Sequence, residues 1–271
     1  MNRIIKNLFL LIVIVIAAKF LITVFGKDLS TGYPEKIILG SWTEQSIETL
    51  IKQAGSKNSS GEKIEFLSES FLGTPYAENT LGGGSDQTEQ LTVDLSGLDC
   101  FTYIDYVESL RLSGSFAEFR EKLAKIRYKH GAVLWEKRKH FFSDWVSGGD
   151  KNAHDVTGKI GGDAVLTATK ELNRKTDGSL WLPGLTTVKR EISHIPSQKI
   201  SPQVLREIKT GDYIGVYSDR DGLDVSHTGI AVRKNGGVYL RHASLVHKKV
   251  LDEELATYMK NKPGLLVYRV K

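Results

Sequence analysis

The sequence predicts an α+β protein in which helices come first and an antiparallel sheet follows. Three observations lead there. The first half carries apolar residues at three- and four-residue spacing, in runs opened by capping residues. The last third carries β-branched and aromatic runs separated by Gly-containing turns. The stretch between them, up to about residue 200, is polar and follows neither period.

Taken in order, "GSWTEQSIETLIKQAG" reads as a helix capped by Thr43 and stopped at Gly55, and Ser60 to Gly73 reads as a second. "GTPYAENTLGGGSDQTEQ" is a loop rich in Gly, Pro and Asn. "LTVDLSGLDC" alternates like a short strand running into a helix, with Asp99 as N-cap and Cys100 as first helical residue. Phe116, Phe119, Leu123 and Ile126 line one face of a further helix. The polar middle reads as mixed loops, short helices and a hairpin. "DYIGVYS", "HTGIAVR", "GVYLRHASL" and "GLLVYRVK" then read as strands, with "DRDG", "KNGG" and "NKPG" as hairpin turns between them.

The 271 residues carry a net charge of +5 spread along the chain, without a basic run dense enough to argue for nucleic acid. The N-terminus is distinctive. "MNRIIKN" is followed by the apolar run Leu8 to Ala18, which suits a signal-peptide core and is short for a membrane span. Continuing past Lys19 to Phe25 gives an uncleaved anchor as the alternative. Residues 1–26 are thus expected to be a signal peptide or a membrane anchor, and 27–271 a single exported domain in the periplasm or cell envelope.

Export gives weight to the single cysteine. In an oxidising compartment a lone thiol is buried and inert, paired between chains, or used chemically. Cys100 at a helix start has backbone N–H groups that favour its thiolate, and a histidine nearby in space would add to this. Of seven histidines, His227 opens one predicted strand and His242 lies near the end of the next, where two imidazoles can stand side by side. His130, His194 and His247 have no supporting context. "DRDGLD" lacks the length and terminal Glu of a calcium loop. No HExxH or short-spaced His/Cys pair supports zinc, so no metal or other cofactor is expected.

The segments "GTPYAENTL", "LDCFTYIDYVESL", "KTGDYIGVYSD", "SHTGIAV" and "YLRHASL", in that order, resemble the NlpC-type cell-wall cysteine peptidases, whose fold is papain-like. The loop ending in Thr80–Leu81 and the segment "HFFSDW" (140–145) bring the chain nearer the N-acetylmuramoyl-L-alanine amidase-like branch. The resemblance implies Cys100 as nucleophile, His227 as base and His242 as the orienting third member. It implies Tyr76 and Thr80 near the oxyanion or substrate, and a peptidoglycan or muropeptide substrate. His140 and Asp144 are candidate substrate contacts, with Phe142 or Trp145 as a stacking surface for a sugar. The function expected is cleavage of the muramoyl–L-alanine amide through an acyl-enzyme. A stem-peptide endopeptidase, a zinc amidase and a non-catalytic wall-binding module are the alternatives.

Overall fold

The computed structural model describes residues 32–271, so the expected leader, residues 1–26, lies outside the described residues. Lys36–Lys271 form one compact unit. It is a mixed α/β structure built on a large antiparallel sheet. Among the described residues, no helix is long and apolar enough to cross a membrane.

Helix α1 spans Glu44–Gly55, with Thr43 accepting from the Ser46 N–H as its N-cap. Helix α2 spans Ser60–Glu69, shorter than expected, because Ser70 to Thr74 turn away to meet Val250 instead of continuing the helix. Strand β1 (Glu35–Ile38) pairs with β2 (Leu91–Asp94), which leads into α3 (Cys100–Arg111), and α4 (Phe116–Arg127) follows. Helix α3 is the central one. Tyr103, Ile104, Tyr106 and Val107 are fully buried, each burial contributing about 1.5–3 kcal/mol for a large apolar side chain. Asp105 is buried in the same helix and meets Arg127 of α4 at 2.9 Å. Arg127 also donates to the Thr92 carbonyl at 2.6 Å, so this ion pair ties helix to helix and helix to strand.

The main sheet comprises β3 (His154–Asp155), β4 (Leu166–Leu172), β5 (Val188–Pro196), β6 (Tyr213–Tyr217), β7 (Val225–Lys234), β8 (Gly237–Ser244), β9 (Lys249–Glu254) and β10 (Gly264–Arg269). Its order is β4-β5-β10-β6-β7-β8-β9, with the short β3 paired to β10. Short helices α5 (Thr157–Gly161), α6 (Pro202–Glu207) and α7 (Leu255–Met259) supply Ile160, Val204, Leu255 and Met259 to the core. From the sheet this core takes Ile195, Ile214, Val216, Leu240, Leu265 and Val267.

Two features differ from the sequence reading. "NKPG" is no hairpin turn. It links α7 to β10, which lies between β5 and β6 with Leu266 opposite Gly215. A local turn signal fixes where the chain bends, whereas the strand's partner is set by burial: Leu265, Leu266 and Val267 are wholly buried, as a central strand requires. Strand β9, "KVLDEE", also escaped notice because its four charged residues obscure the alternation.

Candidate active site

Asp99 caps α3 as expected. Its carboxylate accepts from the N–H groups of Phe101 (2.9 Å) and Thr102 (2.7 Å), while the Thr102 hydroxyl accepts from the Asp99 N–H. Cys100 is therefore the first helical residue. Thr228 of β7 donates its hydroxyl to the Cys100 carbonyl at 2.8 Å and pins the helix start against the sheet.

The loop before α3 is held on both sides. Leu98 N–H donates to the Pro75 carbonyl and Ala77 N–H to the Leu98 carbonyl. Tyr76 N–H donates to the Lys248 carbonyl at 2.9 Å. Gly97 permits this approach, since a Cβ there would lie 2.7 Å from the Ala77 methyl carbon. Tyr76 is thereby set beside the cysteine. Burial, then the charges of an ionised Cys100 and Asp99, push its phenol up to about 12, so it stays a proton donor. The Thr80 hydroxyl is buried with no hydrogen-bond partner among the described residues.

His227 and His242 come together. The register of β7 and β8, with Ile230 opposite Arg241, places them diagonally on one face. His227 Nε2 lies 2.7 Å from His242 Nδ1, with the rings perpendicular (88°). His242 Nε2 lies 2.8 Å from Glu253 Oε2 on β9. Tyr258 of α7 packs edge-on to His242, the ring centres 5.1 Å apart. Burial, then His242 and Lys262, pull His227 down to about 3. Burial lowers His242 as well, opposed by Glu253. Both rings are neutral at neutral pH.

The cysteine corrects one expectation. Burial, reinforced by the Asp99 charge, pushes the thiol up to about 11, although hydrogen bonds from Thr228 and from its own N–H pull the other way. The helix start alone does not make a thiolate here. The thiol and the His227 imidazole that share the cavity are thus both held toward their neutral forms.

Cys100, Phe101, His140, Trp181, His227 and Thr228 are among the residues lining a cavity of about 300 Å³. His140 reaches it with its Nε2 held 2.9 Å from the Trp135 carbonyl, and burial keeps its ring neutral. Asp144 does not line the cavity. Its carboxylate is 4% exposed, accepts from Arg190 and the Phe141 N–H at 3.0 Å, and forms an internal tie. Trp145 and Phe142 are not free stacking surfaces. Trp145 is wedged against Phe101 and Tyr213, and Phe142 stacks on Tyr268 at 4.2 Å. Sequence reasoning missed Trp181, Thr228, Glu253 and Tyr258. Thr228 adjoins a nominated histidine and Trp181 lies in "GSLWLPG", a turn-rich stretch where an apolar aromatic invites attention. Glu253 depended on recognising β9, and Tyr258 carried no signal. No group of three or more His, Cys, Asp or Glu side chains among the described residues is arranged to hold a metal ion.

A family model described as AmiA-like, N-acetylmuramoyl-L-alanine amidase-like, matches residues 66–265, and the chain belongs to that family. No curated protein matches it. Among solved structures it is similar to a protein from Legionella pneumophila strain Philadelphia 1, with 25% identity and a TM-score of 0.69 over 84% of this chain and 94% of that one. It is also similar to an N-acetylmuramoyl-L-alanine amidase from Bacteroides uniformis, with 27% identity and a TM-score of 0.65 over 79% of this chain and 100% of that one.

Proposed function

We propose that this member of the AmiA-like family is an exported cysteine amidase that cleaves the amide between N-acetylmuramic acid and L-alanine in muropeptides. The observation that carries the reading is that Cys100 and His227 line one cavity, with His242 hydrogen-bonded to His227 behind it, in a chain of an amidase-like family. The order of parts, a cysteine opening a helix and two histidines on neighbouring strands, supports a papain-like arrangement of the NlpC type. The apolar N-terminal run supports export to the cell envelope, with or without retention at the membrane.

In the proposed reaction His227 Nδ1, the ring nitrogen not taken by His242, accepts the Sγ proton as the sulfur attacks the lactyl carbonyl carbon. The carbonyl electrons move to oxygen, where the Cys100 N–H and the Tyr76 hydroxyl stabilise the charge. The C–N bond breaks and His227 returns the proton to the leaving L-alanine nitrogen. A water, deprotonated by His227, then attacks the thioester, releasing the muramic acid carboxyl group and restoring the thiol. His242 orients the base throughout. Trp181, half-buried at the cavity, presents its ring there with Lys175 and Arg220 against it, so this wall is aromatic and cationic together.

Mass spectrometry of products from a defined muramoyl-peptide tests this. The expected products are free muramic acid sugar and the intact stem peptide, with sugar-free stem peptides left uncut. Efficient cleavage inside a sugar-free tri- or tetrapeptide would replace the amidase reading with a stem-peptide endopeptidase. Turnover by Cys100→Ala would end the cysteine chemistry.

A further inference from the structure

We propose that Glu253 is a positioning residue that fixes the tautomers of both histidines and so leaves the lone pair of His227 on Nδ1. The proposal rests on the roles given above to Cys100, His227 and His242. In the β8–β9 register His242 stands opposite Leu251 and Leu240 opposite Glu253, so Glu253 is the diagonal neighbour of His242 on the same face. The two diagonal steps, His227 to His242 and His242 to Glu253, form one line across three adjacent strands.

The consequence follows from counting protons. An ionised carboxylate only accepts, so the 2.8 Å contact of Glu253 Oε2 requires a proton on His242 Nε2. A neutral imidazole has one N–H, so His242 Nδ1 carries a lone pair. His227 Nε2, 2.7 Å away, must then donate, and His227 Nδ1 is left as the acceptor. Remove the carboxylate and the opposite arrangement becomes equally allowed, with His242 Nδ1–H donating to His227 Nε2. The proton of His227 then sits on Nδ1, where it cannot take one from a thiol.

The surroundings leave this choice to Glu253. His242 faces His227 from β7, Tyr258 from α7 and Glu253 from β9, with His247 at the β8–β9 turn; Asp252, on the other face of β9, acts only through its charge, and Lys262 acts on His227. Asp252 is occupied by Arg241 and Lys234. The other Glu253 oxygen lies 3.7 Å from the exposed His247. Glu253 is itself 30% exposed, so its removal should cost little stability.

The experiment compares wild type with Glu253→Ala and Glu253→Gln in three measurements: muropeptide kinetics, iodoacetamide alkylation of Cys100 against pH, and 15N-detected histidine tautomers. Glu253→Ala should lower kcat roughly 10- to 100-fold with KM unchanged, the range for losing a group that orients a reacting side chain. Alkylation at pH 7 should slow by a similar factor, and the gap should close toward pH 11, where hydroxide ionises the thiol without His227. The His227 signals should change from a single tautomer to a mixture. Glu253→Gln, whose amide oxygen still accepts, should fall between, and it keeps the test open if the alanine variant folds poorly. Unchanged tautomers with unchanged alkylation at pH 7 overturn the proposal. If wild type fails to cut the muropeptide, the substrate reading falls, while alkylation and tautomers still decide the role of Glu253.

Discussion

Strands β7 to β9, of which β7 lines the cavity, and the segment from 140 to 196, which lines it through His140, Phe142 and Trp181, are held in place by different means. The strands follow one another through short turns and are registered by backbone hydrogen bonds, so His227, His242 and Glu253 align as a by-product of pairing. The other region is tied by side chains distant in sequence. Ser143 N–H donates to the buried Asp224 carboxylate at 2.6 Å across 81 residues, and Arg190 reaches Asp144 across 46. In the first region chemistry and stability are separable. In the second, ties set behind the cavity, such as Arg190–Asp144, hold the segment whose His140 and Phe142 line it.

That contrast is sharpest under substitution. Cys100→Ala should abolish turnover, by about 10⁴-fold or more, with the melting temperature nearly unchanged. His227→Ala should follow at roughly 10³-fold, and His242→Gln should be milder, near 10-fold, because an amide can still hold the hydrogen bond. A kcat series in which His242→Gln exceeds His227→Ala would reverse the two roles. Arg190→Met should do the opposite. It leaves the buried Asp144 carboxylate with only the half-exposed Lys129, 3.9 Å away, as its cation, costing about 2 kcal/mol in urea unfolding, while the alkylation rate of Cys100 in the folded protein stays the same.

A further expected effect is in pH dependence. His227 refuses a proton down to about 3 when folded, whereas the unfolded chain takes one near 6.5. Its contribution is therefore complete above ~6.5 and is lost as the pH falls toward ~3, at up to about 1.4 kcal/mol per unit. Denaturation of His227→Gln should show a correspondingly shallower loss of stability in that window. An identical slope would mean that the ring is protonated in the native state.

The same contrast explains what could be read from the residues alone. Cys100, Asp99 and the facing histidines were legible because caps and strand alternation act over a few residues: Asp99 caps its own helix, and "KNGG" closes its own hairpin. Asp144 looked like a substrate contact because its partner, Arg190, lies on β5, and no period links the two. Trp145 invited a sugar for the same reason, its neighbour Tyr213 being 68 positions away. The thiol was misjudged because helix position is written locally and burial is not. Glu253 stayed hidden within "KVLDEE" until pairing with β8 gave that segment a face.

Gly229 touches no substrate in the proposed reaction, yet it stands opposite His242 in the sheet. A methyl group there would lie 2.6 Å from Leu240 Cδ1, 2.9 Å from the Arg241 carbonyl oxygen and 3.0 Å from His242 Cβ. Two of these obstacles are backbone or the stem of a side chain, which cannot rotate away. The triplet His227–Thr228–Gly229 thus encodes three separate demands in adjacent codons: a base, a clasp on the cysteine helix, and an empty space. In a saturation library scored for function, position 229 should be as intolerant as position 227, and no replacement should be accepted there, not even alanine.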